Sequence, residues 1–431
     1  MKRIAATATA TATVLLALTA CGGSSGGGAS QSKATQAHGP IKIWYSNNPE
    51  EVAWGKKAVA AWNSAHPSEQ VTGQEIPAGK SSEEVISAAV TAGTEPCLIF
   101  NTSPASVPGL QAQGGLVPLS DFPDGKSYIE ARTGPKSAQY RSPDGKYYQV
   151  PWKSNPVMIF YNKKLFKKAG LDPEHPPLQT DAQFIDTAKK LVAAKAAKYA
   201  IYPAPSSEFF QPWFDFYPMF AAESGGKSLV EGKKAQFDTP AGQSVAQFWH
   251  TIYSSGLAGK EAYKGDAFAD GLAAMATVGP WAISVYKGKV DWGVAPVPTT
   301  QAMPASAIHT FSDAKNIGMF VSCKNRGTAW DFTKYVTSTD EDGKLLDSTG
   351  QMPMRTGLQQ TYASYFTKNP AYKEFADQAD RTVEVPSVPN SVAAWQAFRD
   401  SWSKSVIFGG GDPNAALHQV ATKINGLVDH A

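Results

Sequence analysis

The segment Ile41-Lys-Ile-Trp-Tyr45 and the residues Asn48-Pro49-Glu50-Glu51 that follow it decide the fold class of this chain. The first run predicts a β-strand. The second predicts the start of a helix, with Asn48 as N-cap, a proline at the first helical position and a carboxylate three residues after the cap. In that helix, apolar residues recur on one face at Trp54, Ala58, Ala61, Trp62 and Ala65. A strand followed by an amphipathic helix is typical of α/β folds.

The same alternation of strands and helices runs through the rest of the chain. A second helix is predicted to begin after Ser81 and to end near Gly93, and the strand Cys97-Leu-Ile-Phe100 follows it. Two apolar runs between residues 147 and 161 flank the polar segment Lys153-Ser154-Asn155-Pro156. Later helices are predicted to follow three caps, Thr180, Thr239 and Asp412. We therefore predict an α/β fold.

The amino terminus has the features of an export signal. Lys2 and Arg3 precede an uncharged apolar run that ends in Leu18-Thr19-Ala20-Cys21. This ending resembles the bacterial lipoprotein box, whose cysteine becomes the lipidated first residue; the alternative is a chance cysteine after a short apolar run. We expect a signal peptide over 1–21, a Gly/Ser-rich tether over 22–40, and an extracytoplasmic protein held at the cell membrane by a lipid on Cys21.

Length and charge limit the remaining possibilities. The chain has 431 residues, and the roughly 400 that would remain after the leader are too many for one ordinary core and suit two lobes. The net charge of +3 gives no reason to expect nucleic acid or an electrostatic membrane surface as a partner. No second long apolar stretch follows the leader, so we expect membrane contact only through the amino terminus.

The sequence carries little that supports catalysis, metal binding or nucleotide binding. None of its histidines has a second histidine three to five residues away, the spacing that helical zinc sites favour. Gly226-Lys227-Ser228 resembles the end of a phosphate loop, but Ala221 stands where that motif needs its first glycine. We predict no metal and no cofactor. Carboxylates that pair as the acid and base of a glycosidase stay an open alternative.

Two cysteines lie outside the leader, and each stands at one end of an apolar strand-like run. Cys97 begins the run Cys97–Phe100, and Cys323 ends the run Ile317–Cys323. In an exported protein such a pair forms a disulfide if the two strands are antiparallel neighbours. The alternative is a pair of buried thiols.

Aromatic residues stand beside polar residues at the predicted junctions between strands and helices. The segment Phe209–Phe220 has seven aromatic residues in twelve positions, Trp281 follows Gly279-Pro280, and Trp395 lies near the start of a helix. Sugars bind to flat apolar faces beside planar polar groups. Core packing is the alternative for each of these aromatic residues.

Across nearly the whole chain after the leader, the sequence resembles the solute-binding proteins of ABC carbohydrate importers, the group that contains the bacterial maltose-binding protein. The segments that carry the resemblance occur in the family's order: Ile43-Trp44, Tyr161-Asn162-Lys163, Ala222–Gly226, Ala274–Trp281, Gly293–Pro298, and Pro386 to Pro389 with Trp395 and Arg399. The resemblance implies a two-lobe periplasmic-binding-protein fold of the type II-like kind, with discontinuous lobes joined by hinge strands. The first lobe would comprise 41–154 plus 308–350, and the second 155–307 plus 351–431.

The resemblance also implies a set of ligand-binding residues. Trp213, Trp281 and Trp395 match positions where the maltose-binding relatives stack aromatic rings on sugars, and Asn155 matches a glutamate that accepts hydrogen bonds from sugar hydroxyls. Asn101 replaces a tryptophan of the relative, which argues against a maltodextrin ligand. Loops of the first lobe would present Asn48, Lys80, Ser312 and Asp313 to the cleft, and Arg355 lies near the predicted crossing between the lobes.

For some of these residues a structural role is an equal or stronger alternative. Asn48 is also the predicted helix cap, and Asp313 could cap a turn. Arg355 donates to hydroxyls or pairs with a carboxylate.

The resemblance implies a protein that captures a sugar in the cleft between its lobes and carries out no covalent chemistry. It would act as a monomer and deliver the sugar to ABC permease subunits that are driven by a separate ATPase. Two alternatives stay open: a binding protein for another solute, such as a glycerol phosphate ester, a polyamine or a peptide, and a secreted carbohydrate-active enzyme.

Overall fold

The computed structural model describes residues 33–46, 48–78, 81–203 and 205–429. The predicted signal peptide, its lipidation site Cys21, the tether up to residue 32 and the predicted cleft residue Lys80 all lie outside these residues. Among the residues described, no helix is both long enough and apolar enough to cross a membrane.

Strands and helices alternate along the described chain. In chain order the strands are β1 (Ile41–Tyr45), β2 (Val71–Glu75), β3 (Leu98–Thr102), β4 (Gln149–Ser154), β5 (Met158–Asn162), β6 (Tyr199–Ile201), β7 (Val230–Glu231), β8 (Lys234–Ala235), β9 (Ala273–Val278), β10 (Trp292–Ala295), β11 (Thr310–Phe311), β12 (Lys315–Met319), β13 (Met352–Pro353) and β14 (Thr382–Val383). The α-helices are α1 (Pro49–Ala65), α2 (Ser82–Ala92), α3 (Val107–Ala112), α4 (Gly125–Thr133), α5 (Lys163–Lys168), α6 (Asp181–Ala193), α7 (Phe216–Glu223), α8 (Pro240–Ser254), α9 (Ala282–Tyr286), α10 (Arg326–Val336), α11 (Thr339–Thr349), α12 (Leu358–Thr361), α13 (Ala363–Lys368), α14 (Pro370–Ala379), α15 (Ser391–Trp402) and α16 (Pro413–Asp429).

Two large sheets organise these elements. One has six strands in the order β13-β4-β12-β3-β1-β2, and the other has four in the order β10-β5-β9-β6. In the first sheet β1 is parallel to β2 and β3, whereas β12 runs antiparallel to β3 and β4. In the second sheet β5 is antiparallel to both of its neighbours.

Each large sheet has an apolar core on both faces because alternate strand residues point to opposite sides. On β5, Ile159 and Tyr161 join one core while Met158 and Phe160 join another. On β1, Ile43 and Trp44 likewise belong to different cores. Helices cover these faces, which confirms the predicted α/β class.

The helix boundaries follow the local signals of the sequence. Asn48 caps α1, and the Ser81 hydroxyl accepts a hydrogen bond from the Glu84 amide at 3.2 Å at the start of α2. Gly93 ends α2 in the left-handed conformation at φ 65°. Thr180 forms the capping box at the start of α6.

Cys97 and Cys323 are joined by a disulfide, and their Cα atoms are 4.4 Å apart. The bond connects the two strands expected from the sequence, because Leu98 of β3 pairs with Met319 of the antiparallel strand β12. It therefore joins neighbouring strands of the six-stranded sheet at the amino end of β3.

The predicted lobe boundaries stay predictions, with one local correction. The resemblance places Met352 and Pro353 in the second lobe, but they pair with Ser154 and Lys153 of β4 in the six-stranded sheet. The apolar pattern of a two-residue strand is too short to reveal this pairing from the sequence.

Candidate functional site

The chain crosses between the two large sheets in three places. The first crossing takes only the residues 155–157, between the end of β4 and the start of β5. The second passes through 310–314 on the way from β10 to β12. The third leaves β13 towards α14, which packs against the four-stranded sheet. Three of the polar residues predicted to bind ligand, Asn155, Ser312 and Asp313, lie where the first two crossings meet.

Asn155, Ser312 and Asp313 are in contact at this meeting point. The Asn155 amide N–H donates to Ser312 Oγ at 3.2 Å, and Asn155 Nδ2 donates to the Asp313 carbonyl at 3.1 Å and to Gln351 Oε1 at 3.4 Å. The Asp313 carboxylate pairs with Lys315 at 3.3 Å. Asn155 is only 2% exposed, and its Oδ1 has no hydrogen-bond partner among the residues that the structure describes. This oxygen can accept a hydrogen bond from a hydroxyl.

A buried ion pair, not predicted from the sequence, lies beside these residues. Lys153 Nζ and Gln351 Nε2 both donate to Glu51 Oε1, although they are 102 and 300 residues away from Glu51 along the chain. Burial lowers the pKa of Lys153, and the Glu51 carboxylate opposes that shift. One sequence feature could have indicated this pair: Lys153 lies at the end of an apolar strand, and a buried lysine requires a partner of opposite charge. We call Glu51, Lys153, Asn155, Ser312 and Gln351 the crossing cluster.

A large open cavity lies between elements that belong to the two sheets. Its volume is about 1140 Å³, and α2, α3, the segment 387–390 and the start of α15 line it. Leu110 of α3 belongs to a core of the six-stranded sheet, whereas Phe209 and Val388 belong to a core of the four-stranded sheet. We call this space the inter-sheet cavity.

The three tryptophans predicted to stack on a ligand differ in exposure. Trp213 and Trp395 are 3% and 1% exposed and pack in the same apolar core, where Trp395 Nε1 donates to Ser391 Oγ at 2.8 Å. Trp281 is partly exposed, and its ring centroid lies 6.0 Å from that of Phe214. Burial favours the core-packing alternative for Trp213 and Trp395, so their role in ligand binding stays a prediction. Trp281 presents the more accessible ring.

Two other predicted ligand residues, Asn48 and Arg355, have the structural contacts that the sequence analysis gave as alternatives. Asn48 Oδ1 accepts hydrogen bonds from the amides of Glu50 and Glu51 at 3.1 and 3.0 Å, which is the geometry of a helix cap. Arg355 Nε donates to Asp342 Oδ2 at 2.9 Å, so the arginine pairs with a carboxylate. Asn101 is partly exposed near the end of β3.

Within the described ranges, no group of three or more histidine, cysteine, aspartate or glutamate side chains is placed to hold a metal ion. The polar groups of the crossing cluster are amides, hydroxyls and one ion pair. Amides and hydroxyls can both donate and accept hydrogen bonds, which suits a ligand with hydroxyl groups.

The family model described as "Bacterial extracellular solute-binding protein" matches residues 45–342 of the chain. The diacetylchitobiose binding protein DasA of Streptomyces coelicolor is 23% identical over 445 residues, which cover 99% of this chain and 98% of the relative. The sn-glycerol-3-phosphate-binding periplasmic protein UgpB of Brucella abortus is 24% identical over 279 residues, which cover 61% and 62%.

A solved structure has the same fold. The cyclic alpha-maltosyl-1,6-maltose binding protein from Arthrobacter globiformis aligns with a TM-score of 0.76 and 19% identity, and the alignment covers 91% of this chain and 100% of that one. This likeness confirms the predicted two-lobe α/β fold.

Proposed function

Since the chain belongs to the bacterial extracellular solute-binding proteins, we propose that it captures an oligosaccharide between its lobes and delivers it to the permease of an ABC importer. The observation that carries the proposal is the inter-sheet cavity of about 1140 Å³. This volume exceeds the roughly 300–1,000 Å³ typical of sites for single small molecules, so several sugar rings fit. DasA, which is similar over nearly the whole chain, is by name a binding protein for a disaccharide.

We propose two contact points for the ligand, Trp281 and Asn155, neither of which is among the lining residues of the inter-sheet cavity. Trp281 offers an aromatic face for a sugar ring, and Asn155 Oδ1 offers a buried acceptor for a hydroxyl. Ser312, Asp313, Asn101 and Lys80 remain part of the proposed site. Membership of a family of binding proteins supports the proposal that this chain leaves the bonds of its ligand intact.

The two lobes are proposed to comprise 41–154 plus 308–350 and 155–307 plus 351–431, with Met352 and Pro353 moved to the first. A ligand that contacts both lobes stabilises the closed arrangement, because it binds that state more tightly than the open one. The closed form then docks on the permease, and a separate ATPase supplies the energy. We propose that the protein acts as a monomer.

Attachment to the outer face of the cell membrane is part of the proposal. Its support is the apolar run that ends in Leu18-Thr19-Ala20-Cys21 and the Gly/Ser-rich residues that follow. A lipid on Cys21 would hold the protein near the permease.

A glycerol phosphate ester is a second candidate ligand because UgpB, by name, binds one. A phosphate requires clustered arginine, lysine or backbone donors. Neither the crossing cluster nor the described lining of the inter-sheet cavity contains an arginine, and Lys153 is already paired with Glu51. The polar groups of these regions suit a neutral polyol better.

Titration of the purified protein with mono- and oligosaccharides tests the proposal. Diacetylchitobiose, maltotriose and glycerol 3-phosphate are compared by calorimetry and by thermal shift, since a ligand that binds only the native state raises the melting temperature. We expect saturable binding of at least one oligosaccharide. A panel in which no saccharide binds, or in which only glycerol 3-phosphate binds, would refute sugar capture.

A further inference from the structure

A small internal cavity lies between helix α1 and the six-stranded sheet. Its volume is about 10 Å³, and its lining includes Glu51 and Trp54 of α1, Trp152 of β4 and Phe332 of α10. One water molecule needs a cavity of roughly 10–15 Å³, so this space can hold one water and nothing larger. We call it the indole cavity.

Three residues that line the indole cavity carry a buried polar atom with no hydrogen-bond partner among the described residues. These atoms are Glu51 Oε2, Trp54 Nε1 and Trp152 Nε1. The three residues are only 4%, 5% and 1% exposed, and the centroids of the two indole rings are 5.6 Å apart. A buried polar atom without a partner is costly, and most buried polar atoms in proteins bond to another protein group or to an ordered water.

The chemistry of these three atoms restricts what can bind among them. An indole N–H can only donate a hydrogen bond, and an ionised carboxylate can only accept one. Glu51 Oε1 already accepts hydrogen bonds from Lys153 and Gln351, as an ionised carboxylate does. A metal or ammonium ion offers no lone pair to the two N–H groups, and a halide ion would be repelled by the carboxylate. The occupant must therefore both accept and donate hydrogen bonds.

We propose that the indole cavity is the binding site of one internal water molecule, which accepts hydrogen bonds from the indole N–H groups of Trp54 and Trp152 and donates one to Glu51 Oε2. About three hydrogen bonds is the usual number for a buried water. The water extends the crossing cluster, because Glu51 Oε1 accepts from Gln351 Nε2 at 2.5 Å and Asn155 Nδ2 donates to Gln351 Oε1 at 3.4 Å. It lies at the inner end of a network that reaches Asn155.

A second cavity of about 10 Å³ provides an internal comparison. It lies in the core of the four-stranded sheet, where its lining includes Trp213, Phe216, Trp395 and Phe398. Among the described residues, none that lines it has a buried side-chain nitrogen or oxygen without a partner. Cavities with apolar walls stay dry, so we expect no ordered water at this second place.

A crystal structure of the wild-type protein, at a resolution that shows single ordered waters, tests the proposal. We expect one peak of electron density about 2.7–3.2 Å from Glu51 Oε2, Trp54 Nε1 and Trp152 Nε1, and no peak in the cavity beside Trp395. An indole cavity without density would overturn the proposal. Density beyond hydrogen-bond distance of any of the three atoms would overturn it as well.

NMR of the protein with isotope-labelled tryptophan gives an independent test in solution. The indole N–H signals of Trp54 and Trp152 should show direct cross-relaxation with a bound water, and the variants Trp54→Phe and Trp152→Phe identify the two signals. The matched control is Trp249, which is 1% exposed and donates from Nε1 to the Asp215 carbonyl at 2.9 Å. Cross-relaxation at Trp54 and Trp152 that is no stronger than at Trp249 would contradict the proposal; if a variant fails to fold, the crystal structure decides.

Discussion

Replacing Trp395 and Trp281 separately with alanine should separate a core tryptophan from a ligand-binding one. Trp395 is 1% exposed and donates a hydrogen bond to Ser391 at 2.8 Å. Truncating a fully buried tryptophan costs about 3–5 kcal/mol of the free energy of unfolding. Because Trp281 is partly exposed, its truncation removes less buried apolar area and should cost no more than ~2 kcal/mol.

For ligand affinity, Trp281→Ala should have the larger effect and Trp395→Ala the smaller one. If a sugar ring stacks on Trp281, Trp281→Ala should weaken binding tenfold or more, which corresponds to at least ~1.4 kcal/mol. Trp395→Ala should change the affinity of the folded protein less than threefold, because the ring lies inside an apolar core.

Urea unfolding followed by circular dichroism gives the stabilities, because tryptophan fluorescence itself changes when a tryptophan is removed. Calorimetric titration gives the affinities. Trp292→Ala is the matched control for Trp281→Ala, since Trp292 is also partly exposed and packs against the same core, but lies on β10. The control should lose stability and keep affinity. Unchanged affinity in Trp281→Ala, or unchanged stability in Trp395→Ala, would refute the reasoning.

Two further predictions concern groups outside the cavity. Arg355→Ala removes hydrogen bonds to Asp342 and to the Thr337 carbonyl, each of 2.9 Å. The free energy of unfolding should therefore fall by ~2 kcal/mol in urea unfolding, while ligand affinity changes less than threefold in titrations. A large loss of affinity with no loss of stability would place Arg355 in the ligand site instead. Burial raises the pKa of Glu384 from 4.5 to about 8, so the contribution of this residue to the free energy of unfolding should be greatest below about pH 4.5 and should decrease by up to ~5 kcal/mol as the pH rises from 4.5 to 8. Glu384→Gln should remove that part of the pH dependence in urea unfolding from pH 4 to 9, and parallel curves for both proteins would contradict it.

Much of the fold could be predicted because its signals are local. Asn48, Ser81 and Thr180 cap helices through contacts with residues two or three positions away, and Gly93 ends α2 through its own backbone conformation. Such signals lie within a few residues of each other, so a single sequence contains them in full.

The site was harder to predict because its contacts join distant parts of the chain. Glu51 meets Gln351 across 300 residues, and no local pattern encodes that contact. The aromatic residues show the other difficulty. Trp213 and Trp281 both follow a proline at a junction between regular elements, yet one is buried and the other is partly exposed. Exposure depends on which distant segments pack over each ring, and local sequence does not contain that information.

The contacts of the crossing cluster indicate where one lobe could rotate against the other. Glu51 lies on α1, Lys153 on β4, and Gln351 just before β13, so their shared hydrogen bonds tie together parts of the six-stranded sheet alone. Asn155 and Ser312 belong to the crossing segments themselves. A rotation of one lobe against the other can therefore leave the ion pair intact and change the backbone angles at 155–157 and 310–314. A ligand hydroxyl bound at Asn155 would sit next to these crossing segments, and it would favour closure only if it bound the closed arrangement more tightly than the open one.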